Sequence, residues 1–270
     1  MTSAVPTSPR WVDFHCHLDL YRDHQDLIRE CDAEKIVTLG VTTTPKAFAR
    51  NVEMAMGYPY TLVGLGLHPQ LVAERADELP IFEKLLSRAR YVGEIGLDAG
   101  PRYYSSFQEQ RRVFERILRA CDEHGGKILS IHSVRAVSKV LKELDLHLRN
   151  KTCVPVLHWF TGTKSEATRA IELGCYFSLN VEMVRSEKMH ALLRALPIDR
   201  LLTETDGPFV TFDERPARPT DIPSTVALLA KLRGIDSTRL ADQITSNLAS
   251  MLSPTPGASI NRQLRLFKTT

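Results

Sequence analysis

Short apolar, β-rich runs recur along the chain, and amphipathic stretches separate them. Several of these runs are apolar or glycine throughout, as is typical of parallel strands that are covered on both faces. The predicted strands are 11–16, 35–41, 61–67, 91–97, 127–131, 154–159, 175–179 and 200–204. This alternation of strands and helices predicts an α/β fold with a parallel sheet.

The stretches between the strands carry signals for helix ends. A helix that begins near Ser106 has its apolar residues on one face and should end at Gly125 and Gly126, because paired glycines favour a helix C-terminus. In the helix after strand 154–159, Ser165 is a predicted N-cap and Gly174 a predicted end. These residues indicate packing rather than chemistry.

Eight strands in strict alternation with helices are compatible with a closed barrel or with a long open sheet. We favour the barrel, because unusual polar residues follow the carboxyl ends of non-adjacent strands, where barrel active sites are built. The sequence therefore predicts a (β/α)8 TIM barrel. We expect one domain over residues 11–252, with residues 1–10 and 253–270 as flexible tails.

Composition narrows the class of protein without identifying an activity. The chain has 270 residues, of which 43% are hydrophobic and 25% charged, and its net charge of +3 permits an anionic substrate. The five cysteines are scattered and never spaced C-x-x-C, which favours a reducing cytoplasmic setting. There is no signal-peptide pattern and no long apolar run, so we expect a soluble protein without a membrane partner.

The segment V-D-F-H-C-H at residues 12–17 places His15 and His17 two positions apart on a predicted strand. Because successive side chains of a strand alternate between its faces, both imidazoles point the same way. This arrangement can chelate a metal ion. It can equally be a chance feature of the core or a hydrogen-bonded pair.

Four further strands each end in a residue type that binds metals, namely Glu94, His132, His158 and Asp206. A single histidine or carboxylate at a strand end is usually a capping or turn residue. In a barrel, however, all these groups converge on one mouth, where they would leave buried charges unpaired without a metal. The pattern therefore predicts a metal site built from these four residues together with the two histidines of the first strand.

The ordered motifs H-C-H, GLHP, GEIGLD, IHS, HWFTG and TETDGP closely resemble those of the TatD family of metal-dependent deoxyribonucleases, within the amidohydrolase-like barrels. The similarity runs from Trp11 to about Leu252. The segments VDFHCHLDLY, GLHPQL and VLHWFTGT look especially like the TatD-like nucleases encoded in Qat anti-phage defence loci. The resemblance implies a barrel of the metallo-dependent hydrolase type.

The family pattern also implies how the ligands divide between two divalent ions, which would be Zn, Mg or Mn. It assigns His15, His17 and Asp206 to one ion, His132 and His158 to the other, and Glu94 to both as a bridge. We expect Asp206, Glu94 and His68 to be the catalytic residues. Asp206 is the candidate general base, because it is a predicted ligand that can accept a hydrogen bond from the attacking water.

Some neighbouring residues keep two interpretations. His68, in GLHP, lies near the scissile phosphate in the family motif, but it can also be a turn residue before Pro69. Glu204, Asp98 and Asp19 are candidates to support the ligands, with polar strand or turn roles as the alternative. Trp159, which replaces the frequent cysteine of the family, can stack on a base or be a buried residue of the barrel. Such departures put the substrate preference in doubt more than the metal site.

The leading functional hypothesis is an enzyme that hydrolyses ester bonds with metal ions, a deoxyribonuclease that cleaves phosphodiester bonds of DNA from ends or in single strands. A role in anti-phage defence, with protein partners encoded in the same locus, rests on the resemblance alone. One alternative is hydrolysis of another ester, such as a small phosphoester or an aminoacyl-tRNA, because a fold does not fix its substrate. The other is a partner-dependent component of a defence complex.

Overall fold

The computed structural model describes residues 9–253, and its main feature is a barrel of parallel strands. The strands are β1 Trp11–Cys16, β2 Ile36–Val41, β3 Thr61–Leu65, β4 Tyr91–Gly96, β5 Ile128–His132, β6 Val154–His158, β7 Tyr176–Leu179 and β8 Leu201–Thr203. Each strand pairs in parallel with the next along the chain, from β1 to β8. The predicted (β/α)8 fold is therefore confirmed, and the strand ends differ from the predicted ones by at most two residues.

Contacts between the carboxyl ends of β1 and β8 bring the two edges of the sheet together. The backbone N–H of Asp206 donates to the carbonyl oxygen of His15 at 2.9 Å, and that of His17 donates to the carbonyl oxygen of Gly207 at 2.8 Å. The buried Asp13 carboxylate accepts hydrogen bonds from the backbone N–H of Thr205 at 2.9 Å and from its hydroxyl at 2.6 Å. These bonds set Asp206 beside the two histidines of β1.

The helices pack their apolar faces against the outside of the sheet. Their bounds are α1 His24–Ala33, α2 Phe48–Met54, α3 Val72–Arg75, α4 Leu79–Leu86, α5 Phe107–His124, α6 Val137–His147, α7 Lys164–Glu172, α8 Val181–Arg185, α9 Glu187–Ala195, α10 Ile222–Arg233 and α11 Ser237–Leu252. Helix α5 follows Ser106 and ends at Gly125, whose φ of +66° suits glycine, as predicted.

The N-cap prediction for α7 is wrong by two residues. The cap is Thr163, whose hydroxyl oxygen accepts a hydrogen bond from the N–H of Glu166 at 3.2 Å. The Glu166 carboxylate in turn accepts from the N–H of Thr163 at 2.8 Å, which completes a capping box. Ser165 therefore lies inside the first turn.

A small hairpin after β8 was not predicted. Its strands are β9 Thr211–Phe212 and β10 Arg215–Pro216. The two turn residues, Asp213 and Glu214, have φ values of +47° and +65°, as in the turns favoured by two-residue hairpins. Such turns usually contain asparagine or glycine, and neither is present here, so no residue pattern marks the turn.

The predicted tails lie almost entirely outside residues 9–253. Of the predicted tails, only Pro9, Arg10 and Ser253 lie inside this range, and the single domain over 11–252 stays a prediction. Within residues 9–253, no helix combines the length and the apolar character needed to cross a bilayer. All five cysteines are buried and free.

Gly66 permits a close approach between three strands just below the barrel mouth. A Cβ atom at this position would lie 1.7 Å from the carbonyl oxygen of Thr42 and 2.5 Å from the nitrogen of Glu94. The chain that leaves β3 can thus lie against both β2 and β4, where the N–H of Leu67 donates to the carbonyl oxygen of Glu94 at 3.1 Å. This contact carries His68 towards Glu94.

We expect Gly66→Ala to lower the free energy of unfolding by about 2 kcal/mol or more, because backbone atoms of neighbouring strands must move to admit the methyl group. The matched control is Gly57→Ala, where φ is +88° but no atom lies within 4 Å of the added Cβ. The control should cost about 1 kcal/mol through backbone conformation alone. Urea unfolding of the two variants measures both values, and equal losses would contradict the close-approach argument.

Candidate metal centre

The six residues predicted as metal ligands lie together at the carboxyl end of the barrel. None of them is more than 7% exposed. They come from β1 and the residue after it, from β4, β5 and β6, and from the segment after β8: His15, His17, Glu94, His132, His158 and Asp206. The barrel thus gathers side chains that are far apart in sequence into one buried cluster.

Glu94 lies at the centre of this cluster, and its two carboxylate oxygens face different histidines. Oε2 lies 3.3 Å from Nε2 of His15 and 3.3 Å from Nε2 of His17. Oε1 lies 2.7 Å from Nδ1 of His132 and 3.1 Å from Nε2 of His158. One carboxylate thereby separates the histidines into two sets.

Asp206 belongs mainly to the first set. Its Oδ1 lies 3.6 Å from Nε2 of His15 and 3.5 Å from Nε2 of His17. Three groups of three residues could each hold a metal ion, because the ligand atoms within a group lie within 4.8 Å of one another. Together the groups contain all six residues and His68. One of these groups joins His158 to His15 and Asp206, whereas the family pattern implies that His158 shares an ion with His132. The assignment of ligands to ions therefore stays a prediction.

Carboxylates on the outer side of two histidines fix which ring nitrogen faces the centre. Asp98 Oδ2 lies 3.0 Å from Nε2 of His132, so that this nitrogen can donate to Asp98 while Nδ1 is directed at Glu94, 2.7 Å from its Oε1. Glu204 Oε1 lies 3.6 Å from Nδ1 of His158, which leaves Nε2 directed at Glu94. Orientation of a ligating imidazole by an outer carboxylate is a common feature of metal sites.

The histidines of β1 are oriented differently. Nδ1 of His15 lies 2.7 Å from the hydroxyl oxygen of Ser130, a buried residue of β5, and its Nε2 faces Glu94 and Asp206. Nε2 of His17 faces the same two carboxylates. Both rings therefore present Nε2 to one point of the cluster.

His68 is the exception among the clustered histidines. Its Nδ1 accepts a hydrogen bond from the backbone N–H of Gln70 at 3.1 Å, so Nδ1 carries no proton. Burial lowers the pKa of His68, despite the opposing charge of Glu94, and keeps the ring neutral. The proton is thus on Nε2, which lies 3.0 Å from Glu94 Oε1. A protonated nitrogen cannot bind a metal, so in this tautomer Nε2 of His68 donates to Glu94 Oε1.

The electrostatics of the cluster are those of a cation site. Burial would raise the pKa of Glu94, but the surrounding histidines hold that pKa well below its usual value. Burial would lower the pKa of His17, but hydrogen bonds with Asp206 and Glu94 raise it to about 9. Among the described residues, Nε2 of His15 and Oε2 of Glu94 are buried without a hydrogen-bond partner. Imidazole nitrogens and carboxylate oxygens at these positions fit divalent metal ions.

Some of the residues that hold the predicted ligands in place were expected from the sequence, and others were not. Glu204 is fully buried and accepts hydrogen bonds from the backbone N–H of Trp159 at 3.0 Å and from the side chains of Ser178 and Asn180. Asp98 also holds its predicted place beside a ligand, whereas Asp19 is bonded to Asn51 at 3.1 Å.

Sequence reasoning missed Asp13, Thr205 and Ser130, which fix the backbone and ring of His15. A signal was present for Asp13, because it has the same two-residue spacing as the H-x-H pair and therefore shares its face. No comparable pattern marks Thr205 or Ser130, because only the folded barrel brings the segment after β8 beside β1 and places Ser130 of β5 in contact with His15.

Comparison with known proteins gives one family and several relatives. The model of the family described as "TatD related DNase" matches residues 12–253. The chain is 27% identical over 256 residues to human "Deoxyribonuclease TATDN3", with 87% of this chain and 92% of that protein covered. It is 29% identical over 248 residues to the "3'-5' ssDNA/RNA exonuclease TatD" of Citrobacter rodentium, with 87% and 93% covered.

The solved structures agree with this result. The crystal structure of YJJV, a TatD homologue from Escherichia coli K12, superposes with a TM-score of 0.80 and 27% identity. That match covers 92% of this chain and 99% of the bacterial one. The likeness therefore extends over the whole barrel.

We expect Glu94→Gln to lose bound metal, because the amide is uncharged and keeps only one oxygen, so one of the two sets of histidines no longer faces a carboxylate oxygen. The matched control is Glu143→Gln, since Glu143 is also buried but pairs with Arg111 on α5 and His147 on α6. Metal per chain after dialysis, measured by plasma mass spectrometry, should fall only in the first variant. Full metal content in folded Glu94→Gln protein would contradict the central position of Glu94.

Metal affinity should rise with pH. A metal binds only the neutral imidazole, and the pKa of His17 is raised to about 9, so binding at neutral pH displaces a proton. We expect the apparent binding constant to increase about tenfold per pH unit for each displaced proton, up to about pH 9. Calorimetric titration in two buffers of different ionisation enthalpy counts these protons. An affinity that does not change between about pH 6 and 8 would contradict the protonation assigned to His17.

Proposed function

The chain belongs to the TatD-related DNase family, and from this premise we propose that it is a metal-dependent hydrolase that cleaves phosphodiester bonds of DNA at the carboxyl end of the barrel. The observation that carries the proposal is the position of Glu94, one buried carboxylate with a separate set of histidines at each oxygen. This is the donor arrangement that a two-metal hydrolase needs.

We assign the ligands by the oxygen of Glu94 that they face. His15, His17 and Asp206 would hold one ion, and His132 and His158 would hold the other. When bound, two such ions supply positive charge against the phosphate and water with a lowered pKa. The mixed nitrogen and oxygen donors suit zinc or manganese, and magnesium remains a candidate for turnover.

Asp206 is the proposed general base. Burial would raise its pKa, but hydrogen bonding with His17 and the nearby His15 hold that pKa below its usual value, so the carboxylate is ionised at neutral pH. Asp206 Oδ1 faces the centre of the cluster and can accept the proton of the attacking water. The backbone bond from Asp206 to His15 keeps this oxygen in place.

His68 is proposed to bind the phosphate rather than a metal. Its Nε2–H is directed into the cluster because Nδ1 is occupied by the N–H of Gln70. A neutral donor at this position can stabilise a non-bridging oxygen as negative charge grows during attack. His68 would thus act on the side of the cluster that Oε1 of Glu94 faces.

The finer description of the substrate is also proposed. Relatives named as a deoxyribonuclease and as a single-stranded DNA/RNA exonuclease support nucleic acid as the substrate, cleaved from ends or in single strands. Hydrolysis of another ester at the same site remains the alternative activity. The likeness to nucleases of Qat defence loci, and any protein partner from such a locus, stay predictions.

We expect Asp206→Asn to abolish cleavage while the fold stays intact, because an amide cannot accept the proton. The assay is degradation of end-labelled single- and double-stranded DNA with magnesium, manganese or EDTA. The matched control is Asp221→Asn, since Asp221 is equally buried but binds Arg215. Cleavage should be metal-dependent and should persist in the control.

Two results would count against this account. Normal cleavage by Asp206→Asn would remove the assignment of Asp206 as the base. Absence of DNA cleavage by metal-loaded wild-type protein would instead favour hydrolysis of a different ester. Small phosphodiesters and aminoacyl-tRNA are the next substrates to assay.

A further inference from the structure

Phe209 is a large apolar side chain that lies exposed at the barrel mouth. It is 63% exposed, although it follows Asp206 by only three residues. Its ring centroid lies 4.9 Å from that of His17, with the two rings almost perpendicular. Among the exposed large apolar residues of the described chain, Phe209 is the one in ring contact with a predicted metal ligand. Exposure of this ring to water has no packing benefit, and its contact with His17 places it where a bound substrate would meet it.

The backbone holds Phe209 in this place. The N–H of Phe209 donates to the carbonyl oxygen of Asp206 at 2.9 Å, and the N–H of Val210 donates to the same oxygen at 3.2 Å. Val210 itself is buried in a small apolar cluster. A hydrogen-bonded turn between Asp206, the proposed base, and the buried Val210 therefore holds the ring in its position.

Other aromatic residues near the mouth are less suited to contact a substrate. Trp159 is partly buried and packs against the apolar cluster that contains Val181 and Val210, which favours its structural interpretation. Tyr104 is exposed, but its ring stacks on Phe107 with a centroid distance of 5.6 Å and an interplanar angle of 12°. One face of Tyr104 is thus already covered.

We propose that Phe209 is the stacking platform for an unpaired nucleobase next to the scissile phosphate. This inference rests on the proposed function and extends it with a residue that selects single-stranded over paired DNA. A base can stack on an aromatic ring only when it has left the double helix, and each such contact is sequence-tolerant because every base has a π face. Contact with His17 places this base beside the proposed reaction centre.

The first test combines a variant with a modified substrate. We expect Phe209→Ala to lower kcat/KM for single-stranded DNA about tenfold, as for the loss of one stacked base. Single-stranded oligonucleotides with one abasic nucleotide, scanned over the positions nearest the cleaved bond, should show the same loss with wild-type enzyme at one position. At that position Phe209→Ala should cause no further loss, because the interaction is already absent.

Control variants separate stacking from simple packing. Phe209→Trp should keep activity, whereas Phe209→Leu, which is apolar but not aromatic, should resemble the alanine variant. Met56→Ala is the matched surface control, because Met56 is 72% exposed and lies in the loop before β3, at the opposite end of the barrel. If Phe209→Ala has no effect, or lowers cleavage of natural and abasic substrates by the same factor, the stacking role is wrong.

The second test needs no turnover. The fluorescent base 2-aminopurine is quenched when it stacks, so oligonucleotides that carry it at successive positions can be bound to Asp206→Asn protein. One position should be quenched on binding, and the added Phe209→Ala substitution should remove that quenching at saturating protein. Unchanged quenching would overturn the proposal. If wild-type protein cleaves no DNA, the proposed function fails, while this binding measurement still decides whether Phe209 stacks on a base.

Discussion

The buried carboxylate of Glu94 is the constraint on which the rest of the site depends. A carboxylate that is almost fully buried is costly unless positive charge or hydrogen-bond donors surround it. Here each oxygen faces two predicted ligand histidines, and His68 adds a donor on one side. The barrel must therefore bring β1, β3, β4, β5 and β6 together at one depth, and the glycine at position 66 gives the space for this approach.

A second group of contacts keeps the ligand atoms directed inward. Asp98, Glu204 and Ser130 each bind or face the outer nitrogen of a histidine, and the bonds between Asp13 and Thr205 join β1 to β8 beneath the cluster. The positions of the proposed ligand atoms consequently depend on contacts from several strands. The same reasoning separates His68 from the ligands, since the N–H of Gln70 determines its tautomer. The proposed metal-binding and phosphate-binding roles thus fall on histidines that differ in their local hydrogen bonds.

Much of the fold could be predicted from the sequence, because apolar runs and helix signals alternate without interruption. The residues of the cluster were also predictable, since His15 and His17 share a strand face and the others follow strand ends. The hairpin at Asp213 and Glu214 was not, because its left-handed residues are neither glycine nor asparagine. The link from His15 to Ser130 depends on a contact between distant strands. The tautomer of His68 and the exposure of Phe209 depend on local backbone contacts, and hydrophobic periodicity encodes none of these features.

The central claim is that Glu94 joins two metal positions. Anomalous X-ray diffraction at the absorption edge of the bound metal tests it most directly, with crystals of the metal-loaded protein. Two peaks are predicted, one between Glu94 Oε2, His15, His17 and Asp206, and one between Glu94 Oε1, His132 and His158. A single peak, or peaks that do not contact Glu94, would contradict the account.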